Sequence, residues 1–210
     1  MPELSLPLPE MIHQVPCQMR AVAFTFDDGP DPVYTPELLT IFEQAGGHAT
    51  FFMLGQQIER FPDVARQVHA AGHELGNHTH SHPFLTRLSS AEQLQQLQQT
   101  DVLLREVTGN PCRTFRPPYL DANEGVLQVA EQCGYHSIGA VNLDTRDWAS
   151  PGVEHLVEST LRAVRPGSIL LFHDGGGDRS QTVEAVKQLV SLLTAQGYAL
   201  LTVSGLLQMA

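Results

Sequence analysis

Two adjacent carboxylates, Asp27 and Asp28, stand where an apolar run ends and a Gly29-Pro30 turn begins. Asp, Gly and Pro are ordinary turn formers, yet like charges so close are costly unless a cation or a proton separates their roles. His78 and His82 lie four residues apart in His78-Thr79-His80-Ser81-His82. That spacing lets two imidazoles share one face of a helical turn and hold a first-row metal, zinc above all. Surface histidines often cluster, so the pair alone is weak evidence. Joined to one carboxylate it becomes a ligand set with positions left open for water and substrate, as a catalytic metal centre requires. Non-haem iron oxygenases use the same ligand types, so residue type settles neither the metal nor the reaction. His80 is expected to point elsewhere and to be structural.

Three further segments carry polar chemistry. In Arg116-Pro117-Pro118-Tyr119 the prolines fix an extended path that presents Arg116 and Tyr119 rigidly, although such a stretch is more often a plain turn. Asp144-Thr145-Arg146-Asp147-Trp148 holds the only tryptophan, whose ring serves core packing by default and could also face a sugar. His173 ends the apolar run Leu170-Leu171-Phe172 and precedes Asp174 and three glycines, a loop read as too flexible to be there for packing, which places His173 to act as an acid or base. His13, His48, His69, His73, His136 and His155 are scattered without metal spacing and receive no role.

These groups need elements to hold them. Short apolar runs at Ala21–Phe26, Ala49–Leu54, Thr114–Phe115, Ser137–Val141, Ile169–Phe172 and Ala199–Val203 predict buried strands. Between them, helical periodicity covers Thr35–Ala45, Phe61–Ala71, Leu88–Val107, Val126–Cys133, Val153–Val164 and Thr182–Ala195, each followed by a glycine within a few residues. Ser89 or Ser90 is the candidate N-cap of the third. Strands alternating with helices predict a mostly parallel sheet, either an open doubly wound sheet or a barrel, with functional groups after the C-terminal strand ends. The short Asp31–Tyr34 and Gly175–Ser180 loops predict an open groove.

With 210 residues, no linker and no internal repeat, residues 1–210 are read as a single domain. The net charge of -11 argues against nucleic acid as a partner, since such binding neutralises phosphates with Lys and Arg. No apolar run is long enough to span a membrane, and Met1–Arg20 lacks the pattern of an export signal. The default expectation is therefore cytoplasmic, with a trimmed secreted or cell-envelope protein as the alternative. Oligomeric state is not encoded in any pattern found. Cys17, Cys112 and Cys133 fit neither a disulfide framework nor a metal site and are read as buried small hydrophobes.

Taken in order, the segments T-F-D-D-G-P at Thr25–Pro30, H-T-H-S-H at His78–His82, R-P-P-Y at Arg116–Tyr119, D-T-R-D-W at Asp144–Trp148 and L-F-H at Leu171–His173 resemble the polysaccharide deacetylases of the NodB-homology type, carbohydrate esterase family 4. The resemblance spans about residues 20 to 205. It implies an α/β fold, a distorted (β/α) barrel of seven or eight units, and removal of N-acetyl groups from glycans such as chitin, chitooligosaccharide or peptidoglycan. It also implies that Asp28, His78 and His82 hold a divalent metal, zinc in the first place with cobalt or nickel as alternatives. Asp27 would be the general base, Arg116 would orient it, and Asp147 would tune His173 as general acid. Tyr119 would offer its backbone N–H to the developing oxyanion, and Trp148 and Leu171 would line the acetyl pocket. One departure stands out: Leu120-Asp121 follows the tyrosine where glycine is frequent.

Overall fold

The computed structural model describes residues 10–210, so the reading of Met1–Pro9 as neither leader nor apolar span lies outside the described residues. Seven strands alternate with eight helices among them. The strands are β1 (Ala21–Asp27), β2 (Thr50–Met53), β3 (Glu74–Asn77), β4 (Thr114–Phe115), β5 (His136–Ser137), β6 (Ile169–His173) and β7 (Ala199–Leu200). All their pairings are parallel, in the order β5-β4-β3-β2-β1-β6, with β7 beside the first residues of β1. Every residue of β1 is buried, as expected of a central parallel strand covered on both faces. One face is filled by rings: Phe26 stacks on Phe51 at 5.0 Å and Phe24 on Phe172 at 5.9 Å.

Helices α1 (Tyr34–Ala45), α2 (Gly55–Arg60), α3 (Pro62–Ala70), α4 (Ser90–Thr108), α5 (Glu124–Gln132), α6 (Val153–Ala163), α7 (Ser180–Ala195) and α8 (Val203–Leu207) connect the strands or close the chain. Ser89 is the N-cap of α4, completing a capping box with Glu92, and Gly109 ends that helix in the left-handed conformation. The sheet curls into a half-barrel rather than closing through its own edges. The strip Ile12–Val15 bridges β5 to β6: Ile12 N donates to Ser137 O at 2.9 Å, and Val15 N donates to Gly167 O at 2.9 Å. The expected distorted barrel is therefore what forms, and the open doubly wound alternative is not.

Several element readings need correction. β3 is absent from the expected strands because Glu74-Leu75-Gly76-Asn77 is short and holds a single large apolar residue; its glycine is required because a Cβ there would collide with the Phe52 ring. The Ala199–Val203 run is a strand only as far as Leu200, since Thr202 caps Gly205 N at 3.0 Å and Val203 opens α8. Ser137–Val141 stays in β5 only at Ser137, and the following residues pair with the Ile12–Val15 strip and with Ile169. The three cysteines are free thiols, half-buried rather than fully buried.

Candidate active site

The parallel register gathers the polar segments at one end of the sheet. Asp27 ends β1 and lies beside His173, which ends β6. His78 directly follows β3 and Arg116 directly follows β4. Four residues far apart in the chain thus emerge at neighbouring C-terminal strand ends, the position at which α/β folds carry their chemistry.

His78 and His82 do not share a helical turn, contrary to expectation. They lie on a loop in which Thr79 (φ 70°) and His82 (φ 62°) adopt the left-handed conformation. Side chains over-determine that path. Asn77 Oδ1 accepts from Thr79 N at 2.8 Å, Thr79 Oγ1 accepts from His82 N at 3.1 Å, and Gln96 Oε1 of α4 accepts from His80 N and Ser81 N at 3.1 and 2.9 Å. His80 turns away to Glu59, as expected, with Nε2 3.4 Å from the carboxylate.

The loop brings both imidazoles to Asp28. Asp28 Oδ1 lies 3.2 Å from His82 Nε2 and 3.5 Å from His78 Nε2, and the three ligand atoms fall within 4.8 Å of one another. His78 Nδ1 stands 2.7 Å from the carbonyl of Arg116, which can only accept, so Nδ1 carries the proton. In the neutral ring Nε2 is then a bare lone pair facing a carboxylate oxygen that has no hydrogen-bond partner of its own. Convergent acceptors repel unless a cation lies between them, and two imidazole nitrogens with one carboxylate oxygen suit a divalent first-row ion with positions to spare. Burial alone would raise the Asp28 carboxyl, but His78 and His82 outweigh it and hold the group well below the usual carboxylate range. The first of the three glycines is a packing feature: a Cβ on buried Gly175 would overlap the Asp28 carbonyl, while Gly176 and Gly177 are exposed.

On one side of this centre Arg116, fully buried, fixes Asp27. Nη1 donates to Asp27 Oδ1 at 2.8 Å and to Thr25 Oγ1 at 2.6 Å, Nη2 donates to Gly139 O at 2.8 Å, and the guanidinium carbon sits 4.4 Å over the Phe52 ring. On the other side Asp147, buried at the foot of its loop, accepts from His173 N at 2.8 Å through one oxygen and stands 2.7 Å from His173 Nδ1 through the other. Burial by itself would lower the His173 pKa; the charge and hydrogen bond of Asp147, helped by Asp27 and Asp28, push it up to about 9. A group that binds its proton more tightly when folded contributes stability fully below its unfolded value, about 6.5, and loses that contribution as pH rises through about 9. His173→Gln should accordingly cost most stability near pH 6 and least above about pH 9, as read from urea midpoints across that range.

Asp27, Asp28, His78, His82, His173, Tyr119, Trp148 and Leu171 all face one cavity of about 460 Å³, which Leu120 and Leu143 also line. Tyr119 and Trp148 are each 58% exposed, so both present open ring surface at its mouth. Tyr119 and Leu120 occupy left-handed φ of 59° and 54°, which gives the loop after Arg116 its shape without the glycine that such angles favour. Sequence reasoning missed the supporting residues. Asn142 clamps Leu171 through both backbone groups, accepting from its N–H at 2.7 Å and donating to its carbonyl at 3.0 Å. Asp174 lies wholly buried beneath Gly29 and accepts from Thr35 Oγ1 at 2.5 Å, its carboxyl raised to about 7 mainly by burial. A polar residue adjoining a motif is the one hint the sequence offers for either.

A family model described as polysaccharide deacetylase matches residues 15–138. The chain belongs to the polysaccharide deacetylase family. A peptidoglycan-N-acetylglucosamine deacetylase of Bacillus cereus is 40% identical over 196 residues, covering 93% of this chain and 92% of its own. A chitooligosaccharide deacetylase of a Bradyrhizobium species is 37% identical over 191 residues, covering 85% and 87%. Among solved structures, a peptidoglycan N-acetylglucosamine deacetylase in complex with an N-oxidanyl-benzamide superposes with a TM-score of 0.88 at 31% identity, over 94% of this chain and 92% of that one. Within this deacetylase fold all five expected segments converge on the same cavity. No helix among the described residues is long and apolar enough to cross a membrane.

Proposed function

We propose that this deacetylase hydrolyses the N-acetyl groups of N-acetylglucosamine-containing glycans in a metal-dependent reaction that releases acetate. The observation that carries the reading is the convergence of Asp28 Oδ1 with two imidazole nitrogens in a cavity that holds a carboxylate, Asp27, on one side and a carboxylate-backed imidazole, His173, on the other. Asp28, His78 and His82 would hold the ion, with zinc the best match to two nitrogens and one oxygen. When bound, the ion polarises the acetyl carbonyl and lowers the pKa of water.

The chain's own residues supply the rest. Asp27, oriented by Arg116, takes the proton of the attacking water. The Tyr119 N–H meets the negative charge that develops on the carbonyl oxygen, a donor of a kind worth roughly 3 to 4 kcal/mol in comparable sites. His173, kept protonated by Asp147, gives its Nε2 proton to the departing sugar nitrogen. Trp148 and Leu171 wall the acetyl group against solvent. Aromatic and aliphatic surface at the cavity mouth suits the apolar faces of sugar rings.

Acetate release from N-acetylglucosamine oligomers and from acetylated xylan, followed across pH, tests this directly. Release from the oligomers in preference to the xylan is expected, with a bell-shaped profile whose alkaline limb is centred near about 9, where His173 loses its proton. Release from the xylan alone would assign the site to O-acetyl esters, and a flat profile would remove His173 from the acid role.

A further inference from the structure

One wall of the groove leads outward from the candidate metal ligand His82, and beyond Tyr119 it has no part in the chemistry above. Tyr119 packs edge-on against His82 with ring centroids 4.4 Å apart, Phe84 stacks on Tyr119 at 4.0 Å, and the Arg87 guanidinium carbon lies 4.3 Å from the Phe84 centroid. Three short contacts thus carry an unbroken row from the metal-ligand candidates to an exposed cation. Phe84 and Tyr119 are both exposed for residues so apolar, so the row is surface that a bound chain would cover.

Arg87 is unpaired, as exposed Arg60, Arg113 and Arg146 also are; what sets it apart is its place at the end of the row that starts at His82. Exposed Arg66, Arg105 and Arg162 each pair with an acid three or four residues away on their own helix. Arg87 has no acidic group within 4.0 Å among the described residues and donates no side-chain hydrogen bond there. Asp121, on the same wall, is already engaged by the backbone N–H and hydroxyl of Thr86. Lying over the Phe84 ring, 4.3 Å from its centroid, and without a protein acceptor among the described residues, the Arg87 guanidinium has its N–H groups free for an anion.

We propose that Arg87 is a specificity-determining residue that binds a carboxylate carried by the glycan close to the sugar being deacetylated, so that acid-bearing N-acetylated glycans are preferred over neutral ones. This rests on the deacetylase reading above. Phe84 holds the guanidinium in place, and Tyr119 links that subsite to the reacting centre.

The test compares kcat/KM for acetate release on three glycans: neutral tetra-N-acetylchitotetraose, a chain alternating N-acetylglucosamine with its 3-O-lactyl ether, and that same chain with the lactyl carboxylate amidated. The acid chain is expected to exceed its amide by about 3- to 5-fold, the range for an exposed but pre-oriented pair, with the gap closing at about 0.5 M salt. Arg87→Gln should abolish the gap while leaving chitotetraose turnover unchanged. Equal rates on acid and amide in the unmodified protein, or an Arg87→Gln loss of the same size on all three glycans, would overturn the carboxylate site while the deacetylase reading stands. Acetate from none of the three would overturn both.

Discussion

Asp27→Asn should lower kcat for acetate release by about 10²- to 10⁴-fold, the range spanned by positioned acid–base groups. The substitution is nearly isosteric, and the amide oxygen can still accept from Arg116 Nη1, now 2.8 Å from the carboxylate, so the geometry around the site changes little. What disappears is the capacity to take a proton. Asp27 also lies 3.8 Å from His78 Nε2, farther than Asp28 from either imidazole, so the metal ligands are left in place. Zinc content at wild-type level with turnover reduced at least a hundredfold is the expected pair of results. Near-normal turnover would move the base to another residue.

Arg116→Leu is expected to destabilise the fold by about 3 to 5 kcal/mol, because it strands a buried carboxylate rather than merely removing a contact. Arg116 is 1% and Asp27 3% exposed, and the guanidinium also serves Thr25, Ile138 and Gly139. Four acceptors at the base of the site thus depend on one side chain. The double variant Asp27→Leu/Arg116→Leu should recover part of the loss, the share due to the stranded carboxylate, while Thr25, Ile138 and Gly139 still lack their donor. Urea unfolding of the two single variants and the double variant gives the coupling directly. A single-variant loss under about 1 kcal/mol would mean that the pair does not organise the base.

The site residues were legible because their chemistry does not suit a plain structural role: adjacent carboxylates after an apolar strand, imidazoles four apart, and a histidine ahead of three glycines. Their arrangement was not. The spacing of His78 and His82 suggested a helical turn, whereas Asn77, Thr79 and Gln96 impose a left-handed loop, a solution that depends on a side chain from α4 reaching back across the fold. Long apolar strands such as β1 and β6 declared themselves, while β3 and α2 did not, since four or six residues with a glycine carry little periodic signal. The Ile12–Val15 strip could not be foreseen at all, because its pairing with β5 and β6 spans more than a hundred residues of sequence and exists only once the half-barrel has formed. Arg87 was equally hidden. Its significance lies in its place beside Phe84 and Tyr119, and neighbours are a property of the folded surface.

That Asp28, His78 and His82 hold an ion on which hydrolysis depends is tested most directly by assaying acetate release from N-acetylglucosamine oligomers after stripping the protein with chelator, and again after adding one equivalent of zinc. Activity lost on stripping and restored by zinc, with His82→Ala binding the ion more weakly and recovering only in part, is the predicted result. Full activity in the stripped protein, or stoichiometric zinc binding undiminished in His82→Ala, would contradict it.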